Sequence, residues 1–453
     1  MIDDLDLHDA TLAGRPMRIR LPILPLSTTA FATALRTGHG RAMQQVEKHG
    51  SNGLEDKIIE ACVSCLSYDP QCEAARAPWL FSIVDRAKLN TKVVHAIEAV
   101  LHTQPPENHR DMDQRSAILK ELATSGVDDA RRLLYSSLVR LSGTSDVIAA
   151  DQIVTLDGEE GLVYVAKQLG RWLQADADFW VDDYIIAQFD ESTGIKQGLA
   201  ILEREAAVDS DVANYLAGVR KTSESVSNSS SRFDATTYTG AEIVAHVKEN
   251  PRDQCHWFRR WGAQARSDQS EIVFSALLTS DEPEHVKRLF RCFAKTGVPR
   301  FDNRLLRWIT HPDEQIQLAA VKALAPITHG ELRQAAKRLI TGGDVANGVA
   351  LLVNNFEAGD FSICSGHLAR LEDGDEAHHL VGELLDLCEA HPGDEAIDCL
   401  LYVYEHSPCS TCRRRAVKAL TDTNTAPAWV LAESAFDADP ETRALVGGSP
   451  QLI

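Results

Sequence analysis

Two Cys-x-x-Cys pairs, Cys62/Cys65 and Cys409/Cys412, are the residues of this chain best spaced for chemistry. Four thiolates at that spacing can hold tetrahedral zinc, and a single pair can serve redox chemistry. The surroundings of each pair point elsewhere. Cys62 and Cys65 share the apolar face of LEDKIIEACVSCL with Leu54, Ile58, Ala61 and Leu66, where cysteine behaves as a small buried hydrophobe. Cys409 and Cys412 open a segment that is written twice. His311 to Leu324 reads HPDEQIQLAAVKAL, and Ser407 to Leu420 reads SPCSTCRRRAVKAL 96 residues later. In that alignment Cys412 takes the place of a core residue, Ile316, and Cys409 that of Asp313 at the helix entrance. No metal and no cofactor is therefore expected, although a helix N-terminus is where a thiolate would be stabilised.

Histidines and carboxylates form two further groupings. His379 and Glu383 share a helix face at i, i+4, beside His378 and Glu376, and read as a solvated pair. The stretches TGHGRAMQQVEKHG and YDPQCEAAR gather His39, Arg41, His49, Asp69, Gln71, Glu73 and Arg76, which could converge into a buried network or a small pocket. A terminal capping unit must show a polar end face to water, and that is the plainer expectation. His39, Arg41, Asp69, Glu73 and Arg76 are nevertheless the first candidate set for partner contact. No nucleophile with an adjacent base is present in it, so no catalytic residue and no enzymatic activity is assigned.

Basic charge concentrates only between Arg252 and Arg307, with eleven basic and seven acidic residues. Lys287, Arg291 and Lys295 recur every fourth residue, predicting one exposed stripe opposite Val286, Leu289, Phe290 and Phe293. With Arg304 they form the second candidate contact set, suited to phosphate or an acidic partner segment. The next aligned helix carries Gln317, Val321 and Ala325 at those positions, so the stripe is local and reads more simply as a solvated face. Trp257 and Trp261, one turn apart, are expected to anchor the core.

Composition narrows the classes. The chain has 453 residues, 44% hydrophobic and 25% charged, as in a soluble folded protein too long for one compact core. A formal net charge of −20 makes this an acidic protein whose average field disfavours nucleic acid and anionic membranes. The ten cysteines lack a disulfide-framework pattern, which favours a cytoplasmic location. RPMRIRLPILPLSTTAFATA loosely imitates an export signal, but the acidic start at Asp3, Asp4, Asp6 and Asp9 and the prolines Pro22 and Pro25 argue against one. No apolar run is long enough to span a bilayer, so no membrane partner is expected.

Helical periodicity dominates from about Gly53 onward, in short amphipathic segments separated by Asp, Ser, Gly and Pro, a pattern of antiparallel hairpins. Strand is expected only as a short extended piece near Arg18 to Leu26. The serine-rich passage Lys221 to Gly240, with six serines between Ser223 and Ser231, reads as a flexible linker or an inserted loop. The expected organisation is a capping segment over 1–50, helical repeats over 51–220, the linker over 221–240, and further repeats over 241–453.

The region from about Glu271 to Gly447 resembles the HEAT family of α-helical repeats. The resemblance rests on Pro312, Asp313, Ile316, Ala320, Ala323 and Leu324, and on Pro408, Cys412, Ala416, Ala419 and Leu420 in the second copy. Membership implies an all-α solenoid of antiparallel hairpins. The His-Glu dyads by which HEAT-like hydroxylases hold iron have no match here. The expected function is a protein-binding scaffold or adaptor presenting a concave repeat surface to another protein of unknown identity. Two alternatives stand beside it: a nucleic-acid-binding or base-processing repeat protein using the basic stripe, and a thiol or metal enzyme using Cys409 and Cys412.

Overall fold

In the computed structural model the described residues form helices joined by loops, with two short strand pairs among them. The structure describes residues 7–12, 15–20, 23–103, 109–141, 146–176, 178–229, 234, 237–368 and 375–447. Two compact units result: a first unit of residues 22–231 and 432–453, and a second of residues 1–21 and 232–431.

Strands β1 (Leu7–Leu12) and β2 (Arg15–Arg20) form an antiparallel hairpin that pairs Leu7 with Arg20 and Leu12 with Arg15. Strand thus begins well before the extended piece expected near Arg18 to Leu26 and ends inside it. That hairpin belongs to the second unit; the first unit begins with α1 (Thr28–Thr37), α2 (Arg41–His49), α3 (Glu55–Val63), α4 (Ala77–Arg86), α5 (Asn90–Thr103), α6 (His109–Thr124) and α7 (Asp128–Ser136). After the short antiparallel pair β3 (Val139–Arg140) and β4 (Val147–Ile148) come α8 (Ala150–Ala175), α9 (Tyr184–Thr193), α10 (Gly198–Ala206) and α11 (Ser210–Ser229). Helix α1 starts where Ser27 accepts a hydrogen bond from the Ala30 amide at 3.2 Å, and it stops at Gly38, whose φ of 76° favours glycine. The long helix α8 packs against α9, α10 and α11. Phe31, Trp79, Ile83, Ile118, Leu122, Ile153, Leu162 and Tyr215 are fully buried in this unit's core.

The second unit holds α12 (Gly240–Glu249), α13 (Phe258–Gly262), α14 (Ser267–Thr279), α15 (Pro283–Phe290), α16 (Glu314–Leu324), α17 (Gly330–Gly342), α18 (Val345–Leu352), α19 (Asp360–Leu368), α20 (Asp375–Ala390), α21 (Ile397–His406) and α22 (Ser410–Asp422). Helix α23 (Ala428–Ser434) carries the chain back, and α24 (Pro440–Leu445) belongs to the first unit. From α16 onward most helices touch the next and the next but one: α16 packs on α18, α17 on α18 and α19, α18 on α20, α19 on α21, and α20 on α21 and α22. Local chemistry sets the helix starts. Thr239 and Glu242 form a reciprocal capping box at α12, and Asp313 accepts from the Gln315 and Ile316 amides at α16. Ala320 and Ala416, aligned in the twice-written segment, are both fully buried, as are Leu324 and Leu420. Trp261 is buried and its Nε1 donates to the Tyr238 carbonyl at 2.8 Å, while Trp257 is half-buried.

The serine-rich passage differs from expectation. Helix α11 runs on through Ser229, so the first part of 221–240 is helix rather than loop, and Ser223 Oγ donates back to the Val219 carbonyl at 3.0 Å. The division between units falls at Ser231, within that passage, whereas residues 230–233 and 235–236 lie outside the described set. The described end of the chain, to Gly447, packs with the first unit and does not extend the second. No described helix is long and apolar enough to cross a membrane.

Candidate functional site

The N-terminal polar cluster is buried rather than displayed. His39 is 2% exposed and Arg41 9%, and both reach Glu433: His39 Nδ1 and Arg41 Nε each donate to Glu433 Oε1 at 2.8 Å. Glu433 lies 394 residues from His39 in sequence, so no local pattern could have joined them. Gln44 Nε2 donates to the Ala432 carbonyl, Trp79 Nε1 to that of Phe436, and the Ala438 amide to that of Gly38. A second network ties Glu73 to Arg76 at 2.8 Å, with Glu73 Oε1 accepting from the Asp69 amide and Arg76 donating to the Leu35 and Arg36 carbonyls at the end of α1. His49 and Gln71 are exposed, and the Gln71 amide donates to Asp69 Oδ1 at 3.1 Å. This corrects the expected polar end face: the charges satisfy helix ends and clamp the returning segment 432–447 onto the first unit.

The basic stripe is also redistributed. Lys287 is only 6% exposed and pairs with Glu284 at 2.8 Å, and Arg288 is buried against the Val247 and Asn250 carbonyls. Arg304 is held by Asp302, whose carboxyl it pulls down to about 2, and Lys295 is exposed. Helix α15 ends at Phe290 and residues Arg291–Phe293 form a 3-10 turn, so the every-fourth-residue register on which the stripe depends is lost. Arg291 instead joins Arg259 and Lys322 around a shallow pocket of about 280 Å³ with Gln254, His256 and Gln315, floored by Ala294, Leu318 and Ala319. Burial, and then the like charge of Arg259, lower the pKa of Arg291. Among the described residues none of these three cations has a carboxylate at ion-pair distance.

A cavity of about 550 Å³ lies in the first unit between the start of α6, β3, β4, α8 and residues 176 and 178–185. Asp146, Asp178 and Asp182 line it with Phe179, Trp180 and Tyr184. Trp180 and Tyr184 are each 54% exposed, which is unusual for such large side chains. Arg140 pairs with Asp176 at 2.7 Å and lies over the Phe179 ring. Burial raises the pKa of Asp113 and Asp151 nearby, and burial followed by Asp151, Asp113, Glu191 and Asp182 raises that of the Tyr184 phenol. Negative potential and open aromatic faces therefore coincide, which is the chemistry of cation recognition. A sequence signal for this site lies in DADFWVDDY, residues 176–184, where acids and aromatics interleave.

Thiols and histidines fall into three settings. Helix α3 ends at Val63, so Cys65 lies beyond the face that carries Cys62; burial pushes the Cys62 thiol up to about 12. His246 Nε2, Asp253 and Cys255 cluster, but Asp253 is already occupied by His246 at 2.7 Å and by the Cys255 amide at 2.8 Å. Cys409, Cys412 and His378 form the third cluster, with Cys412 Sγ 3.4 Å from His378 Nε2. His379 and Glu383 do approach each other, at 3.7 Å. No family model matches the chain, and comparison with curated proteins finds no match.

Burial, and then Asp386, lift the Glu383 carboxyl from 4.5 to about 7. The folded state then binds this proton more tightly than the unfolded state. Its contribution to stability is complete below about pH 4.5 and is lost as pH rises through about 7. Glu383→Gln is expected to flatten that part of the profile, seen as a smaller fall in Tm than wild type between about pH 5 and about pH 8. Parallel Tm curves for the two proteins would show that the carboxyl titrates normally.

Proposed function

We propose that this protein is a non-catalytic, HEAT-like helical-repeat scaffold of the cytoplasm whose acidic aromatic cleft binds a cationic segment of a partner protein. Support for the repeat reading comes from the second unit, where from α16 onward most helices contact the next and the next but one, and where the two copies bury equivalent alanines. The cleft carries the binding reading: exposed Trp180 and Tyr184 stand beside Asp146, Asp178 and Asp182, and among the described lining residues no nucleophile-base pair accompanies them. A lysine or arginine side chain gains from both, since a cation over an aromatic face is worth about 0.5–2 kcal/mol and adjacent carboxylates add attraction. The nucleic-acid alternative retains less support, because Lys287 and Arg304 of the stripe are engaged in ion pairs, which leaves an anion the pocket of Arg259, Arg291 and Lys322 and the exposed Lys295 among the described residues of that region.

Calorimetric titration with a panel of lysine- and arginine-rich peptides, each paired with a glutamate-substituted control, tests the proposal. Basic peptides are expected to bind and their acidic controls not, with the Trp180→Ala/Tyr184→Ala variant weakened about tenfold. Both side chains are exposed, so that variant should fold. Equal binding of basic and acidic peptides, or full affinity in the variant, would rule the cleft out.

A further inference from the structure

We infer that Cys409, Cys412 and His378 form a zinc site in the second unit. The three side chains come from two packed helices: His378 from the first turn of α20, Cys409 at the N-cap of α22, and Cys412 in its first turn. Their ligand atoms all lie within 4.8 Å of one another, and His378 Nε2 is 3.4 Å from Cys412 Sγ. Zinc bonds of about 2.3 Å to sulfur and about 2.0–2.1 Å to nitrogen, at tetrahedral angles, require S to N edges of roughly 3.6 Å and S to S edges of roughly 3.8 Å. The His378–Cys412 edge is therefore already close to that of a zinc tetrahedron, and the two edges to Cys409, within 4.8 Å, reach it with a small side-chain adjustment. Cys409 and Cys412 are 4% and 9% exposed, so the metal would be shielded on the thiol side.

The twin segment supplies an independent argument. In the first copy Asp313 caps α16 by accepting from two amides, and Ile316 is core. The second copy replaces both with cysteine. At the N-cap, Cys409 provides no side-chain cap, so the second copy forgoes the stabilisation that an aspartate gives there. A thiol-imidazole hydrogen bond accounts for Cys412 alone; it leaves the loss of the cap at Cys409 unexplained. Metal ligation accounts for both substitutions at once. The two thiols bind as thiolates, releasing their protons to solvent, and together they neutralise the divalent ion, while the N-terminus of α22 favours the anionic sulfur. Soft thiolates with one imidazole select zinc over magnesium or calcium. Three donors from the described residues make the site at least three-coordinate by protein.

Restoring the first copy's residues gives the cleanest test. Cys409→Asp/Cys412→Ile re-creates an N-cap and a core aliphatic, so it should fold even where cysteine-to-serine variants do not. Reduced full-length protein is incubated with zinc, desalted and assayed for bound metal, and in parallel titrated with cobalt to read thiolate charge-transfer and tetrahedral ligand-field bands. Wild type is expected to retain one zinc per chain and to show both bands. The double variant is expected to lose both while keeping wild-type circular dichroism, and His378→Ala is expected to weaken retention at least tenfold. No retained zinc in reduced wild type, or equal stoichiometry in the double variant, overturns the assignment.

Discussion

Replacing Glu433 with alanine is expected to destabilise the first unit by about 3–5 kcal/mol, the range for stranding the partners of a buried ion pair. Glu433 Oε1 accepts from His39 and from Arg41, with its side chain 1% exposed and theirs 3% and 10%. Without the carboxylate, the largely buried Arg41 guanidinium loses its Glu433 partner, and the segment 432–447 loses a charged tie to α2. The measurement is urea denaturation of the full chain, with Glu47→Ala as the control. Glu47 pairs with Arg86 at 3.0 Å, but both are more than a quarter exposed, and removing such a pair shifts stability by less than about 1 kcal/mol. A Glu433→Ala protein no less stable than Glu47→Ala would show that the network is not a clamp.

Gly262→Ala is expected to cost at least about 3 kcal/mol in the second unit, at or beyond the upper end for overpacking. A Cβ there would sit 1.6 Å from the Cys292 carbonyl oxygen and 2.5 Å from its carbon, so backbone would have to move against backbone. This glycine lets α13 lie directly on the 3-10 turn at Arg291–Phe293, and that turn carries Arg291 into its pocket. Gly382→Ala, inside α20, makes the matching control. Nothing lies within 4 Å of its would-be Cβ, so the helix gains about 0.5–1 kcal/mol from the lost freedom of the unfolded chain. Thermal melts of both variants read the two signs; a neutral Gly262→Ala would mean that the α13 contact relaxes freely.

Chemistry confined to one turn of helix was legible in the chain. Asp313 caps as its type and position require, Ala320 and Ala416 are buried as the repeated segment implied, and helices dominate as the apolar periodicity demanded. Registers that depend on an unbroken helix were less secure. Lys287, Arg291 and Lys295 are equally spaced in sequence, yet the change from α-helix to a 3-10 turn after Phe290 sends them to different surroundings. Serines were expected to interrupt α11, and back-bonding to the preceding turn lets the helix carry Ser223.

Residue types and spacing were enough to establish an all-helical chain with an internally repeated segment, and to single out Cys409 and Cys412, because caps, periodicity and Cys-x-x-Cys spacing act over a few residues. Only the tertiary structure joined His39 and Arg41 to Glu433, set His378 beside Cys412, and opened a cleft around Trp180 and Tyr184. Those relations depend on which distant helices pack together. That packing is decided by burial of whole helix faces, which leaves no trace in the spacing of the polar residues it brings into contact.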